Sequence, residues 1–334
     1  MKVLVTGGTG FLGLAACRLL RQRGMEVHAY SRKATEGLAQ TGAKHFSGDI
    51  TSPEILEKAM SGCQAVIHTA AKAGIWGPWD DYFHANVTGT KNVIETCRRL
   101  KVNRLVYTSS PSVVFDSHSM EGANESVPYP NSYLAHYPRS KAMAEKMVLA
   151  ANSHGLATVV LRPHLIWGPG DNHLTPRILE KGRRGKLRRI GGQATLVDSV
   201  FIDNAAEAHL AALEKLKPGA SCAGKAYFIS NGEPWPLWDL VNAILSAGGV
   251  PPVKKTISPR LAWLAGCWFE GIYSLLRLKC EPPMTRFLAK ELSTSHWFDI
   301  SAAKRDLGYS PNISISEGLQ RLAHWLQNQP KPQS

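Results

Sequence analysis

A tyrosine and a lysine four residues apart are the first candidates for chemistry in this sequence. Pro138 follows Tyr137, and because proline is tolerated in the first turn of a helix but not in its interior, the sequence predicts a helix from near Tyr137 to about Asn152. The spacing places the phenol of Tyr137 and the ammonium of Lys141 on one face of that helix. A phenol beside an ammonium is a candidate for proton transfer, although the pair alone does not establish this.

A cluster of hydroxyl groups follows a predicted buried strand at residues 104–107. The chain continues there as Thr108-Ser109-Ser110-Pro111-Ser112. In an open parallel sheet, side chains at the carboxyl ends of the strands face the ligand-binding crevice. These hydroxyl groups are therefore placed for chemistry, and ordinary turn-forming serines are the alternative.

A glycine-rich turn near the start of the chain indicates what such a crevice would bind. Residues 3–5 form a short apolar run, Gly7, Gly10 and Gly13 follow it, and residues 14–23 favour a helix. Glycine permits the tight turn, the close approach of bare backbone to a pyrophosphate, and the packing of the helix against its strand. The helix N-terminus adds free N–H groups and a positive dipole end. This strand–turn–helix pattern predicts a dinucleotide-binding site.

The end of the second predicted strand indicates which dinucleotide binds. A carboxylate at this position would bond the ribose 2′-hydroxyl of NAD, whereas this sequence has Ser31-Arg32-Lys33. Because two cations can pair with a 2′-phosphate, NADP is the predicted cofactor, with solvated turn residues as the alternative. Asp49, after the third predicted strand, either caps a helix or reaches the adenine amino group.

The order of the predicted elements gives the fold class. Apolar strands alternate with helical segments, which predicts an α/β fold with a doubly wound parallel sheet of the Rossmann type. We expect a dinucleotide-binding core over residues 1–165, to which residues 190–230 return. Residues 166–189 and 231–334 are expected to form a smaller, mainly helical substrate-binding lobe.

Composition and charge exclude several classes of protein. Hydrophobic residues make up 44% and charged residues 19% of the 334 residues, as in a globular chain. Only three apolar residues separate Lys2 from Thr6, too few for a signal peptide, so we expect a cytoplasmic protein. The six cysteines form no Cys-x-x-Cys pair, so we expect reduced, buried thiols rather than a disulfide framework or a zinc site. The net charge of +13 suits anionic small molecules, acidic partners or a lipid surface, and no nucleic-acid-binding module is recognised.

Three further segments have properties suited to a substrate or a partner. Trp76 and Trp79 occur in a loop rich in glycine and proline, so they either pack inward or line a substrate cavity, which we expect near Trp76 and Trp167. Residues 259–278 are apolar and aromatic but contain Glu270, which argues against a membrane span. They form either an amphipathic helix at a lipid pocket, partner surface or membrane interface, or a core helix. Residues 181–189 contain six cations, which form a solvated face or gather an acidic substrate or partner.

Taken together, these segments resemble the extended short-chain dehydrogenase/reductases over nearly the whole chain. The resemblance rests on Thr6-Gly7-Gly8-Thr9-Gly10-Phe11-Leu12-Gly13, Gly48-Asp49, His68-Thr69-Ala70-Ala71, Asn86-Val87-Thr88-Gly89-Thr90, Tyr107-Thr108-Ser109-Ser110, residues 137–141 and Leu161-Arg162-Pro163. The run Tyr-Thr-Ser-Ser-Pro-Ser-Val-Val and the apolar segment 259–278 are similar to the branch of 3β-hydroxysteroid and sterol 4α-carboxylate dehydrogenases.

The resemblance implies roles for four catalytic residues. Tyr137 would be the general acid that protonates a carbonyl oxygen as NADPH delivers hydride, and Lys141 would lower the pKa of Tyr137 from about 10 and bond the nicotinamide ribose. Ser110 would hold the carbonyl oxygen, with Ser112 as the alternative. Asn86 would order a water of the lysine's proton relay. Phe115 stands where the family often has a glycine, a difference that is expected to reshape the pocket beside the substrate.

The glycine turn and the resemblance together predict the cofactor-binding residues. They are Gly7, Gly10, Phe11, Leu12, Gly13, Ser31, Arg32, Lys33, Asp49, Ile50, Ala70, Ala71, Lys72, Tyr137, Lys141, Pro163 and Leu165. No metal ion is expected.

Residues 70–79 and 165–173 are similar to a narrower bacterial group of the family, the 2-alkyl-3-oxoalkanoate reductases of long-chain olefin biosynthesis. The similarity implies NADP-dependent reduction of a 2-alkyl-3-oxoalkanoate to the 2-alkyl-3-hydroxyalkanoate. The alternatives are a 3β-hydroxysteroid or sterol-4α-carboxylate dehydrogenase, and an NADP-binding scaffold without catalysis. We expect a long-chain acidic small-molecule substrate, a homodimer, no nucleic acid and at most peripheral membrane contact. Docking of other pathway enzymes on residues 259–278 is a further hypothesis.

Overall fold

The computed structural model describes residues 1–191 and 195–329. Residues 192–194 and 330–334, which belong to the predicted ranges 190–230 and 231–334, lie outside the described residues. The strands are β1 Lys2–Thr6, β2 Glu26–Ser31, β3 Lys44–Ser47, β4 Ala65–His68, β5 Arg104–Thr108, β6 Met120–Ala123, β7 Ala157–Pro163, β8 Ile166–Trp167, β9 Arg189–Ile190, β10 Leu196–Val197, β11 Val200–Phe201, β12 Lys225–Ile229, β13 Trp235–Pro236, β14 Thr256–Ile257 and β15 His296–Phe298. The α-helices are α1 Phe11–Gln22, α2 Glu36–Ala39, α3 Pro53–Met60, α4 Trp79–Tyr82, α5 Gly89–Arg99, α6 His136–Ala150, α7 Leu174–Arg183, α8 Ile202–Lys215, α9 Leu237–Ala247, α10 Pro259–Leu275, α11 Arg286–Glu291, α12 Ser301–Leu307 and α13 Ile315–Gln327.

The central sheet is parallel throughout. In the described part of the chain, seven strands form it in the order β12-β7-β5-β4-β1-β2-β3. The chain adds β2 and β3 on one side of β1 and then crosses to β4 on the other side, so β1 and β4 border the point where ligands bind in such sheets. Val3, Leu4 and Val5 of β1 are completely buried, as the apolar run indicated. The predicted α/β fold with a doubly wound parallel sheet is confirmed.

Shorter strands lie outside the central sheet. Strands β13, β10, β15 and β6 form one small sheet in that order, while β8 pairs with β11 and β9 pairs with β14. The β9–β14 pair places Arg189 opposite Thr256, so the cationic segment 181–189 adjoins the start of α10.

The helical segment between β4 and β5 is not a regular α-helix throughout. The π-helical turn Phe83–Thr88 separates α4 from α5 and contains Asn86, whose side chain bonds the backbone of Lys72. π-helical turns are rare and frequently occur at functional sites. A short 3-10 turn, Pro111–Val114, likewise follows β5.

Helix α6 carries Tyr137, Lys141 and Glu145 at four-residue intervals, so all three side chains share one face. Lys141 Nζ donates to the Thr108 carbonyl oxygen at the end of β5, with a distance of 2.6 Å. The buried Glu145 carboxylate accepts from Arg162 Nε on β7 at 3.2 and 3.3 Å. These two contacts fix the helix against the strands that end in the candidate site.

The exposure of the side chains on α10 distinguishes the two interpretations of residues 259–278, an amphipathic helix and a core helix. Ala262 and Gly266 are its buried residues, while Leu264 and Trp268 are 62% and 64% exposed. The core-helix interpretation is therefore wrong, and the outward-facing amphipathic helix agrees with the structure. Within residues 1–191 and 195–329, no helix is both long enough and apolar enough to cross a bilayer.

The cysteines differ in their exposure. Cys17, Cys63, Cys97 and Cys222 are buried, as expected. The expectation of buried thiols is wrong for Cys267 and Cys280, which are exposed. Cys267 lies in α10 and Cys280 follows that helix. The apolar sequence of α10 alone does not show which of its side chains face solvent.

Removal of the Glu145 carboxylate should destabilise the protein strongly. Glu145→Gln leaves the Arg162 guanidinium buried without its counter-charge, and such a loss costs about 3–5 kcal/mol of the free energy of unfolding. Urea denaturation measures the change. The control is Glu57→Gln, which breaks an exposed pair with Arg99 and should cost no more than about 1 kcal/mol. Equal effects of the two variants would contradict the anchoring role of Glu145.

Candidate active site

Tyr137 lies in the first turn of α6, beside the hydroxyl group of Ser110. Burial raises the pKa of Tyr137 to about 12, and a hydrogen bond with Ser110 partly opposes that rise. Lys141 is not among the groups that shift this pKa in the structure, and the expectation that it lowers the pKa of Tyr137 stays a prediction. Its Nζ bonds the Thr108 carbonyl oxygen and lies 4.2 Å from the ring centroid of Tyr107.

The ammonium of Lys141 is itself strongly perturbed. Burial lowers its pKa to about 7, and the carboxylate of Glu145 one turn along the helix opposes this shift. A buried cation needs hydrogen-bond acceptors, since desolvation otherwise disfavours the charged form. The Thr108 carbonyl oxygen meets that need. Thr108 also bonds His209 Nε2 through its hydroxyl group at 2.8 Å, which ties the end of β5 to α8.

The two alternative serines have different positions. Ser110 faces Tyr137, whereas the buried Ser112 donates its hydroxyl hydrogen to Ser110 Oγ at 2.9 Å. The backbone N–H of Ser112 donates to the same oxygen at 3.2 Å. Ser110 is therefore the hydroxyl group next to the phenol, and Ser112 positions it.

Asn86 holds the loop that follows β4. Its Oδ1 accepts from the Lys72 N–H at 2.7 Å, and its Nδ2 donates to the Lys72 carbonyl at 3.1 Å and to Ser140 Oγ at 2.9 Å. Both amide hydrogens of Asn86 are thus used by Lys72 and Ser140. The role of Asn86 in ordering a relay water stays a prediction.

The glycine turn fits the pyrophosphate of a dinucleotide. Gly7 has φ 70°, and a Cβ there would lie 2.9 Å from the Ala70 Cα. A Cβ at Gly13 would lie only 2.1 Å from the Gly7 carbonyl oxygen. In the described residues no side chain caps α1 at Gly10, and the first turn, which includes Phe11 and Leu12, has no acidic residue. The helix start therefore offers free N–H groups and a positive dipole end to an anion.

The end of β2 carries the residues predicted to select the cofactor. Arg32 and Lys33 are exposed, and Ser31 Oγ donates to the Lys33 carbonyl at 3.1 Å. Ser31 Oγ also lies 3.0 Å from His45 Nε2, a neighbour on β3 that the sequence analysis missed. The pairing of β2 with β3 brings them together, and no local pattern indicates it.

Asp49 makes its hydrogen bonds within its own turn. One carboxylate oxygen accepts from the Thr51 N–H at 2.9 Å and from the Thr51 hydroxyl at 2.7 Å, which lowers the pKa of Asp49. The N-cap residue of α3 is Ser52. Asp49 is therefore not the cap of α3, and its contact with an adenine amino group stays a prediction.

The other predicted cofactor residues follow the carboxyl ends of strands in the central sheet. Ile50 packs directly against Gly89, since a Cβ added at Gly89 would lie 2.6 Å from Ile50 Cγ2. Ala70 and Ala71 follow β4 beside the glycine turn. Lys72 pairs with Asp81 at 2.8 Å. Pro163 ends β7, and Leu165 has the unusual backbone angle φ 42°.

A buried hydrogen-bonded chain of polar side chains supports this edge of the sheet. Thr6 Oγ1 lies 2.6 Å from His68 Nδ1, His68 Nε2 lies 3.0 Å from Thr90 Oγ1, and the Thr90 hydroxyl donates to the Asn86 carbonyl at 2.6 Å. Burial lowers the pKa of His68 to about 3, so its imidazole is neutral. The chain joins β1 and β4 to the π-helical turn.

Glu291, the last residue of α11, was not found from the sequence. Burial raises its pKa to about 7, and its carboxylate in turn raises the pKa of Tyr137. Phe115 packs edge-to-face against Phe287 of α11, with the two ring centroids 6.0 Å apart. Phe115, which stands where the family often has a glycine, thus contacts the helix that carries Glu291.

A cleft of about 760 Å³ adjoins the first turn of α6. Its lining includes Trp76, Leu134, His136, Tyr273 and Leu278. Trp76 Nε1 donates to the Leu278 carbonyl at 3.0 Å, so the tryptophan loop closes against the segment after α10.

The second tryptophan expected at a substrate cavity is a core residue instead. Trp167 is completely buried and donates to Ser199 Oγ at 3.1 Å. Asp171, in the same stretch, accepts from the N–H groups of His173 and Thr175 at 2.8 and 2.6 Å at the start of α7. Trp167 therefore does not line the cleft, because this stretch packs the core and begins a helix.

Comparison with known proteins identifies related sequences. Residues 4–260 match the model of the 3-beta hydroxysteroid dehydrogenase/isomerase family. The chain is 52% identical over 324 residues to a 2-alkyl-3-oxoalkanoate reductase of Stenotrophomonas maltophilia, covering 96% of this chain and 98% of that protein. It is 31% identical over 325 residues to the decarboxylating sterol-4-alpha-carboxylate 3-dehydrogenase of Mus musculus, covering 96% and 89% of the two chains.

A solved structure shares the fold. The UDP-glucuronic acid 4-epimerase of Bacillus cereus, in complex with NAD, superimposes with a TM-score of 0.74 at 22% identity, covering 98% of this chain and 99% of that one. At this identity the similarity concerns the fold alone.

The charge of Glu291 should contribute, after burial, to the raised pKa of Tyr137. Glu291→Gln removes a carboxylate that disfavours the phenolate, so the pKa of Tyr137 should fall. The ¹³C resonance of tyrosine Cζ, assigned with Tyr137→Phe, measures this titration. The control Glu95→Gln alters an exposed carboxylate on α5 and should leave it unchanged. An unaltered titration in Glu291→Gln would show that this carboxylate does not act on Tyr137.

Proposed function

Because the chain belongs to the 3-beta hydroxysteroid dehydrogenase/isomerase family and is an oxidoreductase of alcohol and keto groups, we propose that it reduces a 2-alkyl-3-oxoalkanoate with NADPH. The product is the 2-alkyl-3-hydroxyalkanoate. The observation that carries the proposal is the 52% identity, over 96% of this chain, to a reductase of that name. The 31% identity to the sterol dehydrogenase is the weaker similarity.

Tyr137 is the proton donor in this proposal. Its phenol has a pKa raised to about 12 and is therefore protonated near neutral pH, as a general acid must be. Ser110 bonds the phenol and, held by Ser112, orients the substrate carbonyl oxygen towards it. Lys141 holds this part of α6 on β5 through the Thr108 carbonyl oxygen. Bound NADPH would supply the hydride.

Two features support NADPH rather than NADH. Arg32 and Lys33 are exposed cations directly after β2, where they suit a 2′-phosphate. Ser31 takes the place of a carboxylate that would repel that phosphate. Gly7, Gly10 and Gly13 would hold the pyrophosphate.

The cleft beside α6 suits a long-chain acid. Its apolar walls include Trp76, Leu134 and Tyr273, and its lining also contains the cations Arg277 and Lys279. Apolar walls accommodate an alkyl chain, whereas cations favour a carboxylate.

A sterol or steroid dehydrogenase is the second candidate, which the family match and the 31% identical sterol-4-alpha-carboxylate 3-dehydrogenase favour. It predicts oxidation of a 3-hydroxyl group on a rigid ring system. The same Tyr137 and Ser110 would serve it, so the substrate distinguishes the two candidates.

A substrate panel tests the proposal. The purified protein should oxidise a 2-alkyl-3-hydroxyalkanoate with NADP⁺ and consume NADPH with the corresponding 3-oxo acid, while 3β-hydroxysteroids and sterol 4α-carboxylates should not react. Arg32→Ala should raise the KM for NADPH by about tenfold, through loss of a charge-assisted bond, and leave the KM for NADH unchanged.

The cofactor control is Arg98→Ala, an exposed arginine near the end of α5 that should change neither KM. Turnover of steroids instead of the alkyl acid would overturn the substrate assignment. Binding of NADPH without turnover of any substrate would favour the non-catalytic scaffold.

A further inference from the structure

Helix α10 is attached to the protein along a narrow stripe. A Cβ at Gly266 would lie 2.7 Å from the Arg286 backbone nitrogen, so the helix approaches the start of α11 closely. Ala262, one turn earlier, is completely buried. Glu270, one turn later, pairs with Arg286 Nε at 2.6 Å. The opposite face of α10 therefore points away from the protein.

That outward face is apolar. Leu264, Trp268 and Leu275 are 62%, 64% and 83% exposed. In the part of the chain that the structure describes, every exposed large hydrophobic side chain other than Met1 and Ile55 lies within residues 261–278. Such concentration of apolar surface marks a contact with another molecule or a membrane.

The charges around this face are positive. The two carboxylates within residues 254–281, Glu270 and Glu281, are paired with Arg286 and Arg177. The other charged residues of this segment are exposed and form no ion pair within the described residues; they are Lys254, Lys255, Arg260, Arg277 and Lys279. The apolar face is thus bordered by uncompensated cations at both ends.

A second group of cations adjoins the start of α10. Residues 181–189 contain six cations, and the pairing of Arg189 with Thr256 in β9 and β14 places this segment beside the helix. Glu180 pairs with one of the cations, Arg184, at 2.9 Å. The cationic segment and the apolar segment, distant in the sequence, thus meet on one side of the protein.

We propose that the outward face of α10 docks on an anionic phospholipid bilayer, with the helix lying in the interface and the bordering cations on the lipid headgroups. Leucine and tryptophan side chains enter the boundary of the acyl chains, and lysine and arginine add attraction to anionic lipid. A second copy of the chain is a poorer occupant, because it would bring like charges together.

Sedimentation with vesicles tests the proposal on the full chain. The protein should sediment with vesicles of phosphatidylcholine mixed with phosphatidylglycerol and remain in solution with phosphatidylcholine alone. Added salt should weaken the binding, because the attraction to the headgroups is screened.

Matched variants assign the binding to α10. Leu264→Glu should lower the partition coefficient by about tenfold or more, since it replaces an apolar contact with a charge. Ile55→Glu alters an exposed apolar residue on α3 and should bind as the unaltered protein does. Circular dichroism establishes that both variants are folded. Vesicles with brominated acyl chains should quench tryptophan fluorescence in the unaltered protein, and Trp268→Phe should remove most of that quenching.

Three results would overturn the proposal. The first is absence of binding to anionic vesicles at low salt, which would leave a protein partner as the occupant. The second is equal loss of binding in Leu264→Glu and Ile55→Glu. The third is a change in oligomeric mass in Leu264→Glu by light scattering, which would make this face an interface between copies. None of these measurements depends on the substrate, so they are independent of the proposed reaction.

Discussion

The hydrogen bond from Lys141 Nζ to the Thr108 carbonyl oxygen is the interaction on which the candidate site depends. A buried ammonium is costly unless it finds an acceptor, and the 2.6 Å bond supplies one at the end of β5. Ser110 lies two residues beyond that carbonyl group, and Tyr137 lies one turn before Lys141 on α6. The bond that satisfies the lysine therefore also brings the phenol and the serine hydroxyl together.

The polar groups around Lys141 hold this arrangement in place, and, within the described residues, none of them adds an unpaired charge. Glu145 is neutralised by Arg162 on β7, and His68 is kept neutral by burial while it bonds Thr6 and Thr90. Buried networks of hydrogen bonds and ion pairs such as these favour one packing of the strands and helices. The edge of the sheet that would receive the cofactor is thus fixed by hydrogen bonds between side chains from distant parts of the chain.

The features that depend on local spacing were predictable from the sequence. The glycine turn and the alternation of strands and helices predicted the doubly wound sheet, and Pro138 predicted the start of α6. The pKa of Tyr137 was not predictable, because burial and the carboxylate of Glu291 on α11 raise it. The location of Trp167 was not predictable either, since an aromatic residue followed by glycine and proline suits both a cavity wall and a packed core. Helix α10 has a mixed apolar pattern, and only its neighbours in the fold decide which face is buried.

Single-turnover hydride transfer in Tyr137→Phe tests the central claim, that a phenol held beside Ser110 donates the proton, most directly. The variant keeps the ring and the anchoring bond of Lys141, so its Kd for NADPH should stay unchanged. The rate of hydride transfer to the 3-oxo acid should fall by about 10²-fold to 10⁴-fold, the usual contribution of a positioned acid. A rate close to that of the unaltered protein, with NADPH bound, would contradict the account.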